Sequence, residues 1–246
     1  MAKFAKPESI VNTTEYCGGC GHGIIQRLIA ESIEELNLQD KTIGVVDIAC
    51  SYWSLDALDY DMIAGPHGRL AAVATGIKRV RPEANVYVHS GDGCAYVIGL
   101  SETSYAAIRD VPITMIVANN GIFGMTGGQL NLATTLVGDK TVSSKAGRNP
   151  DTMGHPVDML KSFQNYDVEF LARGALYDVK HIEQTKKFIK KGLENQRDGK
   201  GFSLIEVLSP CPTTWKLDPV KAMEKIKNEN EKIFPVGVYT DRGGVQ

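Results

Sequence analysis

The chain has 246 residues, of which 43% are hydrophobic and 23% are charged. This composition is ordinary for a globular protein, and the length allows one large α/β domain whose core needs no disulfide bonds. Because 27 basic residues are balanced by 29 acidic ones, the net charge of −2 gives no sign of a nucleic-acid-binding surface.

The N-terminal segment and the cysteines indicate the cellular compartment. Residues 1–7 lack the apolar core of a secretory signal, and no window approaches the apolar length of a membrane span. We therefore expect a cytoplasmic protein without membrane contact. Thiols stay reduced in the cytoplasm, where grouped cysteines serve metals or catalysis more often than disulfides. Five cysteines fit four ligands and one remaining thiol.

Short apolar runs alternate with amphipathic stretches along the first half of the chain. Residues 43–47 predict a strand, and residues 70–81 predict an alanine-rich helix that stops before a proline. A strand over 86–89 is followed by a helix over 95–109. Residues 113–117 then predict a further strand.

The second half begins with residues 121–156, which are rich in Gly, Thr, Asn and Ser and lack periodicity. They predict a long loop, and long loops in compact domains are usually functional. The elements predicted after the loop are a short helix at 159–163, a strand over 168–171, a helix over 181–194, a strand over 203–208 and a helix over 218–232.

Strands that alternate with helices predict an α/β fold with a doubly wound, mostly parallel sheet. We expect residues 1–246 to form a single domain, with a cysteine-containing segment at its N-terminus and a helical extension at its C-terminus. Sheets of this kind bind ligands at the carboxyl ends of their strands. Since Cys50, Asp92, Asn119-Asn120 and Cys211 all follow predicted strands, we expect them to meet.

The sequence Gly91-Asp92-Gly93 is followed, after 25 residues, by Asn119-Asn120. Each motif alone is a common turn. Placed after two strands, however, they offer a carboxylate and an amide, the kind of oxygen ligands that Mg²⁺ prefers when it also binds phosphate. The glycines let the backbone approach phosphate oxygens, and the helix that follows presents free N–H groups to the anion.

This pair of motifs resembles the diphosphate motif of thiamine-diphosphate-dependent enzymes, which implies a sheet of their diphosphate-domain type. The chain is more closely similar to the beta subunits of 2-oxoacid:ferredoxin oxidoreductases, over about residues 15–215. The segments that carry this similarity are Cys17-Gly18-Gly19-Cys20-Gly21-His22-Gly23, His67-Gly68-Arg69, Ala74-Thr75-Gly76 and Gly124-Met125-Thr126-Gly127-Gly128-Gln129.

The resemblance implies thiamine diphosphate and Mg²⁺ as cofactors. The side chains of Asp92 and Asn120 and the backbone carbonyl of Ile122 would bind the ion, and His67 would contact the cofactor or substrate as a catalytic residue. The other four histidines are expected to be structural or to lie at the surface. The further residues expected around the cofactor are Ile48, Ala49, Cys50, Ser51, Gly91, Gly93, Cys94, Gly124, Met125 and Thr126.

The cysteines allow two interpretations by spacing alone. Cys17 and Cys20 form a CxxC pair, which indicates a metal site or a redox site, and a structural zinc site remains an alternative. The resemblance implies instead a 4Fe–4S cluster bound by Cys17, Cys20, Cys50 and Cys211. Cys94 is then the remaining thiol, expected near the diphosphate as a packed residue rather than a ligand.

Members of this family decarboxylate a 2-oxoacid oxidatively to acyl-CoA and CO₂ and pass the electrons to ferredoxin. The resemblance thus implies a 2-oxoacid, coenzyme A and ferredoxin, and the segment around Gly127 resembles enzymes that act on 2-oxoglutarate or 2-oxoisovalerate. Because only one sheet is predicted, an alpha subunit is expected to supply the pyrimidine-binding site, with gamma and delta subunits as further candidates. The alternative is a non-oxidative thiamine-diphosphate enzyme with a structural zinc site.

Overall fold

Buried runs of aliphatic residues form the centre of a seven-stranded sheet in the computed structural model, which describes residues 5–244. The strands are, in chain order, β1 (Thr42–Val46), β2 (Asp61–Ala64), β3 (Asn85–Gly91), β4 (Thr114–Asn119), β5 (Ile122–Phe123), β6 (Gln129–Leu130), β7 (Phe170–Ala175), β8 (Ser203–Leu208) and β9 (Gly237–Asp241). The sheet has the order β2-β1-β3-β4-β8-β7-β9, while β5 and β6 form a separate antiparallel hairpin. All pairs in the sheet are parallel except β7 with β9.

The helices cover both faces of this sheet. They are α1 (Gly21–Glu35), α2 (Leu70–Val80), α3 (Leu100–Ile108), α4 (Pro150–Met153), α5 (Met159–Phe163), α6 (Val179–Arg197), α7 (Pro212–Trp215), α8 (Pro219–Lys225) and α9 (Glu231–Ile233). One buried apolar cluster joins the sheet to α2, α3 and α5, and a second joins it to α1 and α6. The predicted doubly wound α/β fold is therefore confirmed. Within residues 5–244, no helix is long and apolar enough to cross a membrane.

The elements not predicted from the sequence include α1, β2 and β9. Ile25, Ile29 and Ile33 form a buried stripe along α1, so its helical spacing is visible in the sequence. By contrast, β2 and β9 lie at the two edges of the sheet and consist of short stretches of exposed and half-buried residues. The chain thus returns to the sheet after the helical segment near its C-terminus.

The predicted helix over 95–109 is divided into two parts. A wide π-helical turn spans Gly93–Ile98, and α3 follows from Leu100. The cause is a close backbone approach, because a Cβ added to Gly99 would lie 2.3 Å from the carbonyl oxygen of Gly68. The Gly99 N–H donates to the carbonyl of Cys94 at 2.9 Å, which closes the wide turn. Such turns are frequent at functional sites.

The strand predicted over 168–171 is found at Phe170–Ala175 instead. In the sequence the apolar run stops at Arg173-Gly174, whereas in the structure both residues are part of the buried strand. A buried arginine is rare unless it is paired, so sequence alone favours ending the strand before it.

Arg173 is the centre of a buried polar network. Its Nε donates to Glu206 Oε1 at 2.6 Å, and its Nη2 donates to Asp158 Oδ1 at 2.6 Å. Glu206 Oε1 also accepts a hydrogen bond from Asn119 Nδ2 at 3.0 Å, and the guanidinium lies over the ring of Tyr239. The network therefore connects β4, β8, β7 and β9 through their side chains.

Residues 121–156 form a long loop, as predicted, that contains the β5–β6 hairpin and α4. A buried cation holds it together, because the guanidinium of Arg148 donates to backbone carbonyl oxygens at 2.6 to 3.2 Å. These carbonyls belong to Leu132, Thr135, Met153, Gly154 and His155. Separate parts of the loop are thus joined through hydrogen bonds to one side chain.

We predict that Arg173→Met lowers the free energy of unfolding by about 3 to 5 kcal/mol, because it leaves the Glu206 carboxylate buried without its cation. Urea unfolding followed by circular dichroism would measure this. Lys221→Met, which removes the exposed partner of Asp218, is the control and should leave unfolding unchanged. An Arg173→Met protein with the wild-type midpoint would contradict the prediction.

Candidate functional site

Polar residues follow four parallel strands at one edge of the sheet. Asp47 follows β1, Asp92 follows β3, Asn120 follows β4, and Cys211 lies a few residues beyond β8. Because β1, β3, β4 and β8 are neighbours in the sheet, their carboxyl ends lie side by side. The predicted meeting of these strand ends is what the structure shows.

A cleft of about 320 Å³ opens at this edge. Every residue predicted to contact the cofactor lines it except Ser51, which is buried and donates from Oγ to Asp47 Oδ1 at 2.5 Å. The lining residues are His22, Asp47, Ile48, Ala49, Cys50, His67, Gly91, Asp92, Gly93, Cys94, Asn120, Ile122, Phe123, Gly124, Met125 and Thr126. His22, Asp47 and Phe123 are therefore additions to the predicted set.

Asp92 is a buried carboxylate that accepts hydrogen bonds, and within residues 5–244 no cation pairs with it. Its Oδ1 accepts from the Gly93 N–H at 3.0 Å, and its Oδ2 accepts from the Gly121 N–H at 2.8 Å and from Thr134 Oγ1. Burial nevertheless raises the pKa of Asp92 to about 7. A divalent cation would supply the missing positive charge, so the residue fits the role of a magnesium ligand.

The turn after β4 folds back toward Asp92. Gly121 has a φ of 68°, a left-handed conformation that favours glycine, and this turn aims its N–H at the Asp92 carboxylate. Asn120 Oδ1 accepts a hydrogen bond from the Ile122 N–H at 3.1 Å. A Cβ added to Gly91 would meet no atom within 4 Å, so space is free beside the carboxylate. These features fit an ion that carries a diphosphate.

Four cysteines line a second pocket of about 210 Å³ next to the cleft. They are the four predicted as cluster ligands, namely Cys17, Cys20, Cys50 and Cys211. The two pockets have Cys50, Gly124 and Met125 in common, so the cysteine pocket adjoins the cleft.

The spacing of the four sulfur atoms bears on the kind of metal they fit. Zinc–sulfur bonds of about 2.3 Å hold any two sulfurs of one zinc ion within about 4.6 Å of each other. Within residues 5–244, one trio of potential metal-binding side chains has donor atoms that all lie within 4.8 Å of one another. This trio is Asp47, His67 and Cys94, so no three sulfurs of the pocket cysteines are that close together. As arranged here, the four cysteines therefore do not form a closed tetrahedral zinc site.

Burial also sets the protonation of the pocket thiols. It raises the pKa of Cys20 to about 12 and that of Cys50 to about 11, with smaller contributions from neighbouring cysteines. Without metal these thiols are protonated at neutral pH. Binding of iron would therefore release protons from them.

Cys94 lies outside this pocket and is packed into the cleft wall. It is buried, and its Sγ accepts a hydrogen bond from the Gly68 N–H at 3.1 Å. His67, the residue before Gly68, is about a third exposed, and its ring meets that of Phe123 edge-on at 6.3 Å. Cys94 thus fixes the turn that presents His67 to the cleft.

His22 forms a buried pair with His89, which the sequence does not indicate. Their ring nitrogens, His22 Nδ1 and His89 Nε2, are 3.0 Å apart, so one donates to the other. Burial lowers the pKa of His22 to about 4 and lowers the pKa of His89 well below its usual value. Both rings are therefore uncharged at neutral pH. The partners are 67 positions apart, and no local spacing reveals such a contact.

Residues 46–207 match the family model of the C-terminal thiamine-pyrophosphate-binding domain of thiamine pyrophosphate enzymes. The match runs from the end of β1 into β8, and so includes most of the strand ends that form the cleft. The class of the protein is therefore a thiamine-pyrophosphate-binding domain.

The chain is 41% identical to the ketoisovalerate oxidoreductase subunit VorA of Methanothermobacter thermautotrophicus, over 96% of this chain and 50% of that protein. It is 35% identical to the 2-oxoglutarate synthase subunit KorB of Archaeoglobus fulgidus, over 87% of this chain and 76% of that protein. A 2-oxoacid:ferredoxin oxidoreductase beta subunit from Sulfolobus is also 35% identical, over 92% and 81% of the two chains. The chain belongs to the family of 2-oxoacid:ferredoxin oxidoreductase beta subunits, and it spans about half the length of its ketoisovalerate relatives.

Solved structures agree with this assignment at the level of fold. The 2-oxoglutarate:ferredoxin oxidoreductase of Magnetococcus marinus has a TM-score of 0.77 at 23% identity, covering 99% of this chain and 87% of that one. A thiamine-diphosphate-dependent 4-hydroxybenzoylformate decarboxylase of Rhodococcus jostii has a TM-score of 0.51 at 20% identity, over 80% and 34% of the chains. The predicted thiamine-diphosphate-domain type of sheet is therefore confirmed.

We predict that Asp92→Asn changes stability in a pH-dependent way in cofactor-free protein. The folded-state pKa of about 7 lies above the usual 3.8, so stability from this carboxyl is fully present below pH 3.8 and is lost as pH rises through 7. Asparagine stays neutral, so the free energy of unfolding of the variant relative to wild type should rise by about 2 kcal/mol between pH 5 and pH 8.

Urea titrations at the two pH values measure this difference. Asp198→Asn is the control, because this nearly exposed carboxyl has a lowered pKa and is ionised in both states over the range. If the difference in free energy of unfolding between Asp92→Asn and wild type is the same at pH 5 and pH 8, residue 92 carries no uncompensated charge.

Proposed function

We propose that this chain is the subunit of a 2-oxoacid:ferredoxin oxidoreductase that binds thiamine diphosphate, Mg²⁺ and a 4Fe–4S cluster. With its partner it would convert a 2-oxoacid and coenzyme A to acyl-CoA and CO₂ and pass the electrons to ferredoxin. The observation that carries this proposal is the contact between the cofactor cleft and the cysteine pocket, which have Cys50, Gly124 and Met125 in common.

In this proposal, residues at the strand ends hold the diphosphate. Asp92 and Asn120 bind Mg²⁺ through their side chains, Ile122 binds it through its backbone carbonyl, and the free space at Gly91 admits the phosphates. Bound thiamine diphosphate supplies an electron sink for decarboxylation. Ile48, Ala49 and His67 also line the cleft and would contact the bound cofactor.

The cluster is proposed on Cys17, Cys20, Cys50 and Cys211. Their convergence on one pocket supports a shared metal group, and among the described residues no three of their sulfurs lie within 4.8 Å of one another, as a single zinc ion would require. Clusters ligated by cysteine reach potentials low enough for ferredoxin to accept their electrons. The cytoplasm, where thiols stay reduced, suits such a site.

A partner subunit is part of the proposal. Residues 1–246 would act as one domain that holds the diphosphate half of the cofactor, while an alpha subunit provides the pyrimidine-binding site. Gamma and delta subunits would complete a larger assembly. The sequence identity between this chain and the beta subunits of such oxidoreductases supports that arrangement.

The lining of the cleft favours 2-oxoisovalerate over 2-oxoglutarate. Ile48, Ala49, Phe123 and Met125 offer apolar contacts to a branched side chain. Among residues 5–244, no lysine or arginine lines the cleft, so the second carboxylate of 2-oxoglutarate would find no counter-charge from this chain. The match to a ketoisovalerate oxidoreductase subunit agrees with this preference.

We therefore predict that the assembled enzyme uses 2-oxoisovalerate with a kcat/KM at least tenfold above that for 2-oxoglutarate. Burying an unpaired carboxylate costs more than roughly 1.4 kcal/mol, the free energy that corresponds to a factor of ten. Ferredoxin reduction measured anaerobically with each acid and coenzyme A tests this. Equal or faster use of 2-oxoglutarate would contradict the preference and would point to a cation from the partner.

We also predict that two variants separate the cofactors. Asp92→Ala should abolish binding of thiamine diphosphate with Mg²⁺ while the iron and sulfide content stays at the wild-type level. Cys17→Ser should lose iron and sulfide but still bind the cofactor. Calorimetry and iron and sulfide analysis on anaerobically purified complex provide both measurements.

Cys94→Ser is the matched control for the second variant, because this thiol lies outside the cysteine pocket and should be dispensable for iron. Iron loss in Cys94→Ser but not in Cys17→Ser would show that the ligands are misassigned. The alternative function is a non-oxidative thiamine-diphosphate enzyme with a structural zinc site. Zinc without iron in the purified complex, with no ferredoxin reduction, would establish it.

A further inference from the structure

We infer that Asp47 is a positioning residue for His67, holding its imidazole so that Nε2 faces the cleft as a hydrogen-bond acceptor. The inference rests on the proposed function, in which His67 contacts the cofactor or substrate. It starts from a cluster at the end of β1, where donor atoms of Asp47, His67 and Cys94 all lie within 4.8 Å of one another.

Asp47 is fully buried below the cleft and is firmly fixed there. Its Oδ1 accepts hydrogen bonds from the Ala49 N–H at 3.1 Å and from Ser51 Oγ at 2.5 Å. Its Oδ2 is 3.4 Å from the Gly91 nitrogen and 4.0 Å from His67 Nδ1. Among the described residues, His67 is its one ion-pair partner, and a buried charge without a cation is unfavourable.

The His67 ring has two different sides. Its Nδ1 is buried and has no hydrogen-bond partner, although a carboxylate oxygen of Asp47 is 4.0 Å away. The side chain as a whole is about a third exposed, and it lines the cleft. Two neighbours restrict how the ring can turn, because Phe123 meets it edge-on and Cys94 anchors the adjoining Gly68.

This arrangement selects one tautomer of the imidazole. A carboxylate beside Nδ1 favours a proton on that nitrogen, and the lone pair then remains on Nε2. A carboxylate paired with histidine in this way holds both the tautomer and the ring orientation. Asp47 therefore decides whether His67 offers the bound group an acceptor or a donor.

A double-mutant cycle on the assembled enzyme tests the coupling. Asp47→Asn should reduce kcat/KM by about tenfold to a hundredfold. His67→Gln should reduce it by at least as much, and Asp47→Asn should then have no further effect in the His67→Gln background. A loss from Asp47→Asn that persists in full without His67 would mean that Asp47 acts independently, and would overturn the inference.

A second readout does not depend on turnover. Nitrogen-15 NMR of histidine-labelled complex reports which ring nitrogen carries the proton, and the His67→Gln variant assigns the signal. Wild type should show His67 protonated on Nδ1, and Asp47→Asn should move that proton to Nε2. An unchanged tautomer would overturn the inference. If Asp47→Asn does not fold, Asp47→Ser replaces it, since the smaller side chain also removes the carboxylate.

The surface pair of Asp178 and His181 is the matched control. Asp178 Oδ1 lies 2.7 Å from His181 Nδ1, and neither residue lines the cleft or the cysteine pocket. Asp178→Asn should change the His181 signal and leave kcat/KM unchanged. If wild-type complex oxidises no 2-oxoacid, the proposed function fails, yet the tautomer measurement still decides the role of Asp47.

Discussion

The candidate site depends on one buried carboxylate, that of Glu206. Its Oε1 accepts hydrogen bonds from Arg173 in the strand on one side and from Asn119 in the strand on the other. The three strands are thereby locked in register directly below the cleft. Asn119 ends its strand, so fixing it also fixes Asn120 and the turn that approaches Asp92. The stability of the core and the geometry of the site thus rest on the same interaction.

The cleft has a second electrostatic property. Asp47 and Asp92 are both buried at its base, and among residues 5–244 neither is paired with a lysine or arginine. Burial of a carboxylate without a cation is unfavourable, and it raises the pKa of Asp92. Any cation that binds there stabilises the folded state by mass action, so cofactor loading and folding are linked in this chain. The long loop instead contains a buried cation, Arg148, whose guanidinium donates hydrogen bonds to backbone carbonyl oxygens.

Sequence patterns predict the features that depend on periodicity and strand order. The sheet, its carboxyl-end site and the meeting of Gly91-Asp92-Gly93 with Asn119-Asn120 follow from alternating apolar runs and parallel topology. Buried charges are not predictable in this way. Arg173 ends a strand in the sequence but continues it in the structure, because the partner that neutralises it comes from another strand. The presence of His22 and Asp47 in the cleft is likewise not predictable from the sequence, because their burial depends on contacts made only after folding.

Gly124 lines both pockets, and its lack of a side chain has a physical consequence. A Cβ at this position would lie 3.4 Å from Cys211 Sγ and 4.0 Å from Cys50 Sγ, ordinary contacts that a folded chain tolerates. Packing alone therefore does not require glycine here. Gly124 lines both the cleft and the cysteine pocket, so a side chain at this position would occupy space that the two pockets have in common. The residue at position 124 would therefore change the room available to bound groups while the packing of the fold stays the same.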